Sequence, residues 1–552
     1  MAADAKAILS HPGQAVFQLT DVVEALRRSV PFAALGLCAF AYAGLLLGDL
    51  RLFDNDYDWI NTAQDTGWLG VLGEILRPIP ERWGFQDRPV QTLVFKLLHS
   101  FAGEQPGVYY AFKAGLFAGV SVAISWFARR LGSDALAAIL AGAIFAISSP
   151  GHASALWISD FELMAEILIL LALGQFWRIL KSTPTSRMEE WLNQALFVLL
   201  ALVSHRTKGS AKLIPAIVLI YLVLYRRDQI RRFIPSLALI GLTIVPIFSM
   251  ISDPLPPFAP FAEDQSQGWM WKPANLATLG TLLIGNFHPI SGTSGPGIAF
   301  GLLAVLTPGL LWITALGVAY FVWKNGKSFF SDEVGLIAIW LLVSVLSYAS
   351  FPRLPEGFMA RYVVVALVPA SLLVAHILSG SLLRLPRMAA IGVLAVCLTI
   401  HAAHNLDSSR HLRDTLGQVI VAYDLAREHI ATRLSDEDVL IIGFDYGYNR
   451  RLGDTNTYHR GQIQIRDIDE TNRLHVLVRS DQDLDNVEHQ SAVQDIQNAI
   501  KLPPVSRGMR VKVRPVETFA GLTDSFYDTN IYESRQSFVG LLYEVTFERE
   551  QS

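Results

Sequence analysis

A chain of 552 residues with 52% hydrophobic and 17% charged residues is more apolar than a soluble protein, which usually carries about a quarter charged residues. A formal net charge of −4 gives no sign of a nucleic-acid partner, and two isolated cysteines in apolar segments, Cys38 and Cys397, exclude a disulfide framework or a zinc site. The composition is that of a polytopic membrane protein with a soluble piece attached.

Residues 1–29 are polar and end in Arg27-Arg28, as a cytoplasmic segment would. Val30–Gly48 is long enough to cross a bilayer at about 1.5 Å per residue, and without a small-residue cleavage site it reads as a retained helix. Directly after it comes LFDNDYDWI, Leu52–Ile60, with three carboxylates among aromatic residues. In an extended chain Asp54, Asp56 and Asp58 would all face one side. Acids that close repel, so at least one holds a proton more readily, which suits a general base aimed at a hydroxyl. The plainer alternative is an acidic turn capping a helix. The rest of this long loop, 49–105, contains Trp68–Leu76 and Pro89–Phe101, whose helical apolar spacing is too short or too polar to span and fits helices on the membrane surface.

Further spans are expected at Pro106–Phe127, Ala135–Ile147, Phe161–Ile179, Trp191–Val203, Leu213–Leu224, Phe233–Ile251, Gly297–Val322, Val334–Tyr348, Tyr362–Leu378 and Met388–His401, about eleven helices with the first. Leu276–Ile290, interrupted by Gly280, Gly285, Asn286 and Pro289, reads as interfacial or re-entrant. Arginine and lysine fall at alternate connections: Arg129-Arg130, Arg178 with Lys181 and Arg187, Arg226-Arg227 with Arg231-Arg232, Lys324 with Lys327, and Arg384 with Arg387. The positive-inside rule sends these to the cytoplasm, and loop 49–105, the stretch around His152, Asp253–Pro296 and the C-terminal region outside. Residues 30–403 are thus expected as a transmembrane domain and 404–552 as a soluble extracytoplasmic α+β domain. Its expected helices are His411–Leu434 and Asn486–Ile500, and its expected strands Val439–Phe444, Leu474–Val478, Val511–Val516 and Gly540–Phe547.

Several polar residues crowd the outer ends of these spans. His152, Asp160, Glu162 and Glu166 lie near the start of one helix. Asp160 and Glu162 suit a helix N-terminus electrostatically, while Glu166 is deep enough to require a polar cavity. Arg206, Lys208 and Lys212 stand on the side where the positive-inside rule expects few cations, as do Arg353 and Arg361. An anionic ligand at the membrane surface, most simply a phosphate, explains them. Headgroup snorkelling is the plainer explanation.

In order and context these stretches resemble the GT-C superfamily of membrane glycosyltransferases, which take a sugar from a polyprenyl-phosphate carrier on the extracytoplasmic side. The resemblance runs through FDNDYDW after the first helix, Asp87-Arg88-Pro89-Val90, PGHASALWIS, TKGSAKLIP and Arg361-Tyr362, covering roughly Val30–Leu378. Two departures are plain: Asn55 precedes Asp56 where the family often has adjacent acids, and the family's Lys-Glu is here Lys208-Gly209.

The resemblance implies a bacterial-type inner-membrane enzyme that transfers a hexose or pentose with inversion to an extracytoplasmic glycan, glycolipid or protein. Asp56 would be the base, with Asp58 and Asp54 as the other candidates. Arg206, Lys208, Lys212 and Arg361 would bind the donor phosphate, at least two of them converging within about 10 Å of the acids. Arg88, His152, Asp160, Glu162 and Tyr362 would line the donor and acceptor pocket, and the apolar helices would hold the lipid tail. No cofactor is required for certain, although a divalent metal on Asp54 and Asp56 is compatible with the oxygen ligands. The competing classes are a lipid-linked glycan transporter or flippase, which would show internal repeats and mid-membrane charges, and a non-catalytic scaffold, for which Gly209 speaks.

Overall fold

The computed structural model describes residues 12–48, 50, 52, 55–76, 88–184, 186–244, 331–349 and 363–382, isolated positions between 392 and 413, and five strands between 439 and 549. Helix α1, Pro12–Leu47, runs into the bundle and carries Pro31 in its interior. Two short helices, α2 (Asn55–Asp65) and α3 (Trp68–Leu76), and then α4 (Pro89–Ala102) precede the long α5 (Pro106–Arg130). Both α4 and α5 open on proline, whose missing N–H is no loss at a first helical position.

Helix α6, Ala135–Ala146, is capped by Asp134, which accepts from the Ala137 N–H at 2.8 Å, and α7, Ser149–Leu156, is capped by Ser148. The two are bent by 54° across their junction, the geometry of a broken span or a re-entrant loop. Helix α8, Glu162–Lys181, pairs antiparallel with α9, Arg187–Thr207. Gln175 donates to Asn193 Oδ1 at 3.0 Å near one end of the pair, and Ser204 Oγ donates to the Ala165 carbonyl at 3.3 Å near the other. A 3-10 turn, Gly209–Lys212, leads to α10 (Leu213–Tyr225), followed by α11 (Ile230–Ile244), α12 (Asp332–Ala349) and α13 (Val364–Leu382).

Among the described residues three helices are long and apolar enough to cross a membrane: Ser29–Leu47 within α1, Pro106–Arg130 and Glu162–Lys181, with the bent α6–α7 pair as a fourth if the pair is one span. The other expected spans within the described residues coincide with α9 to α13. Gly297–Val322, the Leu276–Ile290 stretch, and most of Met388–His401 lie outside the described residues, so the count of about eleven stays an expectation. Surface helices expected at Trp68–Leu76 and Pro89–Phe101 are α3 and α4.

The core is built from interlocking aromatic side chains, Phe117 on Phe145 (5.4 Å between ring centroids), Phe176 on Tyr221 (5.8 Å) and Phe127 edge-on to Trp340 (6.0 Å). Helices α5 and α6 approach so closely that a side chain at Gly142 would collide with Ser125 and the Ser121 backbone. One expectation is overturned here: the acidic stretch is not extended but begins α2 at Asn55. Asp56, Trp59, Ile60 and Ala63 are all buried, the i, i+3, i+4, i+7 face of a helix, and burying that face outweighs the two-residue spacing of the acids. Positions 56 and 58 therefore do not share a side.

The last five strands are β1 (Val439–Ile442), β2 (Asn456–His459), β3 (Leu474–Ser480), β4 (Met509–Thr523) and β5 (Ser537–Arg549). They form one mixed sheet in the order β2-β1-β3-β5-β4. β1 is parallel to both neighbours, while β5 is antiparallel to β3 and β4. The four expected strands are present, two of them much longer than expected. β2 was not expected, because NTYH carries no apolar alternation. The expected helices His411–Leu434 and Asn486–Ile500 lie outside the described residues.

Candidate active site

The buried face of α2 points Asp56 at the connection between α7 and α8, residues 157–161. Asp56 is fully buried, and its Oδ1 accepts the Ser159 N–H at 2.8 Å across 103 residues of sequence. This strip of irregular chain has no ladder to satisfy its backbone groups, so side chains do so. Gln91 Nε2 on α4 donates to the Ser159 carbonyl at 2.6 Å, and Lys113 Nζ on α5 donates to the Asp160 carbonyl.

The Asp160 side chain is the hub of the site. It accepts from Ser154 Oγ at 3.0 Å and from Lys208 Nζ at 2.6 Å, and weakly from the Glu162 N–H at 3.4 Å. The Lys208–Asp160 pair is almost dry, with side chains 14% and 2% exposed. Removing one partner of such a pair strands the other charge, a loss of about 3–5 kcal/mol. Glu162 lies within electrostatic reach of Lys208, Asp160 and Arg88. One turn deeper, Glu166 is fully buried, and neither of its carboxylate oxygens hydrogen-bonds a described residue; nor does one oxygen of Glu162. Acids at this depth in a membrane helix face the bundle interior at considerable cost.

The structure thus gathers Asp56, Arg88, Asp160, Glu162 and Lys208 of the expected residues around residues 157–162. Lys208 is not a lone cation: its charge is met by Asp160, on the connection between α7 and α8. Arg206, nearly buried at the end of α9, and Lys212, on the 3-10 turn, both act electrostatically on His205. His152 is placed elsewhere. Its ring packs on Tyr42 (4.7 Å) and Phe117 (4.9 Å), its Nδ1 meets Ser409 Oγ at 2.8 Å, and it shares an apolar pocket with Ala43, Leu47 and Leu156. It is a core histidine, outside the Asp56–Lys208 network. Asp58 lies on α2 two residues along from Asp56, and Asp54, Arg361 and Tyr362 lie outside the described residues.

Three participants escaped the sequence reading: Gln91, Lys113 and the Ser159 backbone. Lys113 had a signal, a lone charge inside an otherwise apolar span. The Ser159 N–H had none, since every residue offers one. Among the described residues no group of three or more histidine, cysteine, aspartate or glutamate side chains is placed to hold a metal ion.

No family model matches the sequence, and no curated protein matches it. Among solved structures the fold is similar to that of ArnT from Cupriavidus metallidurans bound to undecaprenyl phosphate, with a TM-score of 0.54 and 13% identity over 93% of this chain and 97% of that one. The apo state of the same protein gives a TM-score of 0.53 and 14% identity over 94% and 98%. At this identity the likeness is one of fold. It runs over almost the full length of both chains.

Proposed function

We propose that this chain, a helical membrane protein of GT-C fold, is a glycosyltransferase that moves a sugar from a polyprenyl-phosphate donor to an extracytoplasmic acceptor hydroxyl with inversion at the anomeric carbon. One observation carries the reading: an acid and a cation are tied to consecutive residues of one buried strip, Asp56 to Ser159 and Lys208 to Asp160. Consecutive Cα atoms are ~3.8 Å apart, so one short strip holds both groups, and in this reading they serve the two faces of one sugar carbon.

In this reading the acceptor oxygen attacks the anomeric carbon as its bond to the phosphate oxygen breaks. The acceptor proton passes to an Asp56 carboxylate oxygen. The departing polyprenyl phosphate is stabilised by Lys208 and Arg88, which exchange part of their contact with Asp160 and Glu162 for phosphate oxygens. Arg206, Lys212 and Arg361 complete the cationic rim. The apolar helices hold the lipid tail, residues 30–403 form the membrane unit, and 404–552 lie outside the plasma membrane with the N-terminus in the cytoplasm. Reporter fusions at Ser29 and Ser552 should give opposite signals, cytoplasmic and extracytoplasmic respectively; equal signals would sink this topology.

The test is transfer of labelled sugar from polyprenyl-phosphate sugars in membranes supplied with cell-envelope glycolipid. Asp56→Asn keeps the size of the side chain and removes the base, so turnover should fall by about 10²–10⁴-fold with membrane insertion and lipid binding intact. Near-normal turnover in Asp56→Asn, with loss in Asp58→Asn, would move the base by two residues; indifference to both would refute the enzyme reading. Running the assay with a chelator and with added Mg2+ reports whether Asp54 and Asp56 hold a divalent ion.

A further inference from the structure

We infer that Gln91 and Lys113 are positioning residues that aim the Asp56 carboxylate by holding the strip Trp157–Phe161 from two helices at once, an inference that rests on the proposed role of Asp56. Both side chains are fully buried. Gln91 Nε2 takes the carbonyl of Ser159, and Lys113 Nζ takes the carbonyl of the next residue, Asp160, while lying 6.0 Å over the Phe161 ring. The N–H of that same Ser159 is the donor to Asp56 Oδ1. The side chain of that same Asp160 is the acceptor for Lys208. The two buried donors therefore hold the two residues, Ser159 and Asp160, that meet the acid and the cation of the site.

The chemistry of the clamp is unusual for plain backbone satisfaction. Burying an ammonium group is costly, Lys113 is fully buried, and the Gln91 Oε1 atom hydrogen-bonds no described residue. A serine hydroxyl on either helix would satisfy a carbonyl at lower cost. A long lysine and an amide reaching in from α4 and α5 instead fix the strip against translation along two directions. Reactions that depend on a carboxylate placed for proton removal are sensitive to displacements of about 1 Å. Freed carbonyls would let residues 157–161 rotate, and Asp56 would lose the N–H that orients it.

Two measurements on the full-length protein test this, in membranes and in detergent. The first is hydrogen exchange in peptides spanning residues 157–161, read without any substrate. In Gln91→Met and Lys113→Met, exchange at this strip should accelerate at least about tenfold while peptides from α8 keep their protection. The second is the transfer assay. Both variants should lower kcat by about tenfold or more, leave KM for the polyprenyl-phosphate donor within about twofold, and add no further loss in an Asp56→Asn background. Lys113→Arg, which keeps a buried donor, should recover most of the turnover.

Unchanged exchange at residues 157–161 in both variants overturns the clamp. So does a loss of stability with kcat per folded molecule unchanged, or an additive loss in the Asp56→Asn background. Should Lys113→Met not insert, Gln91→Met decides alone. If Asp56→Asn abolishes transfer while Gln91→Met preserves it, only the positioning role fails. If Asp56→Asn itself retains transfer, the base assignment fails, and the exchange data still report whether Gln91 and Lys113 hold the strip.

Discussion

The two ends of α8 are made from the same residue types and behave as opposites. At its C-terminal end Lys181 bridges Asp332 at 3.4 Å and Glu333 at 3.7 Å, Arg226 pairs with Asp332, and nearby Arg232 pairs with Glu190 at 2.6 Å. Every one of these groups keeps some contact with solvent, and each charge has its counter-charge. At the N-terminal end Asp160, Glu162 and Glu166 are dry, among the described residues only Asp160 has a direct ion pair, and both carboxylate oxygens of Glu166 and one of Glu162 hydrogen-bond no described residue. Exposed, matched charges clasp helix ends together and contribute about 0–1 kcal/mol per pair. Buried, incompletely matched charges destabilise the fold, and a protein retains them where chemistry needs them.

The far end also orders the bundle. The clasp joins the end of α8, the start of α9, the end of α10 and the starts of α11 and α12. Helix α11 runs parallel to α9, since Arg232 meets Glu190 and, one turn on, Ser236 meets Gln194 at 2.6 Å. Two of the connections that arginine and lysine mark in the sequence, 178–187 and 226–232, thus share one end of the bundle, and the candidate active site occupies the other.

The sharpest way to break this contrast is to unpair the buried end. Lys208→Met should lower unfolding stability by about 3–5 kcal/mol because the Asp160 carboxylate is left dry without a cation. Adding Asp160→Asn should restore at least half of that loss, and thermal melts of the two single variants and the double variant read the coupling directly. Strictly additive losses would mean the pair does not act as a unit. Glu166→Gln should move stability the other way, raising it by about 1–3 kcal/mol as a buried carboxylate becomes a neutral amide. A fall would reveal a partner that needs the charge of Glu166.

The smallest effect belongs to the clasp. Lys181→Met should cost less than about 1 kcal/mol. That cost should vanish in 1 M salt, where the Debye length is ~3 Å, whereas the loss in Lys208→Met should persist. Equal salt sensitivity at the two ends would erase the distinction between them.

What was legible in the sequence was local. Pro106, Ala135 and Leu213 begin their helices where the apolar runs begin, because a membrane helix satisfies its own backbone and needs only a long enough apolar stretch. The spacing of Asp56, Trp59, Ile60 and Ala63 was equally local and pointed to a helix, and reading the acids at a period of two overlooked it. The resemblance brought Arg88 into view, while position at the outer helix ends brought in Asp160, Glu162 and Lys208, and by the same route His152, which the fold puts in an apolar pocket instead.

By itself, then, the sequence determined where the described helices run and which stretches carry ionisable groups, since apolar length and charge sign act within a single segment. Only the tertiary structure decided that Asp56 meets the Ser159 N–H, that Lys208 is held by Asp160, and that Gln91 and Lys113 grip the strip between them. Those contacts join helices far apart in the chain, and each follows from how the helices pack together, which no single segment encodes.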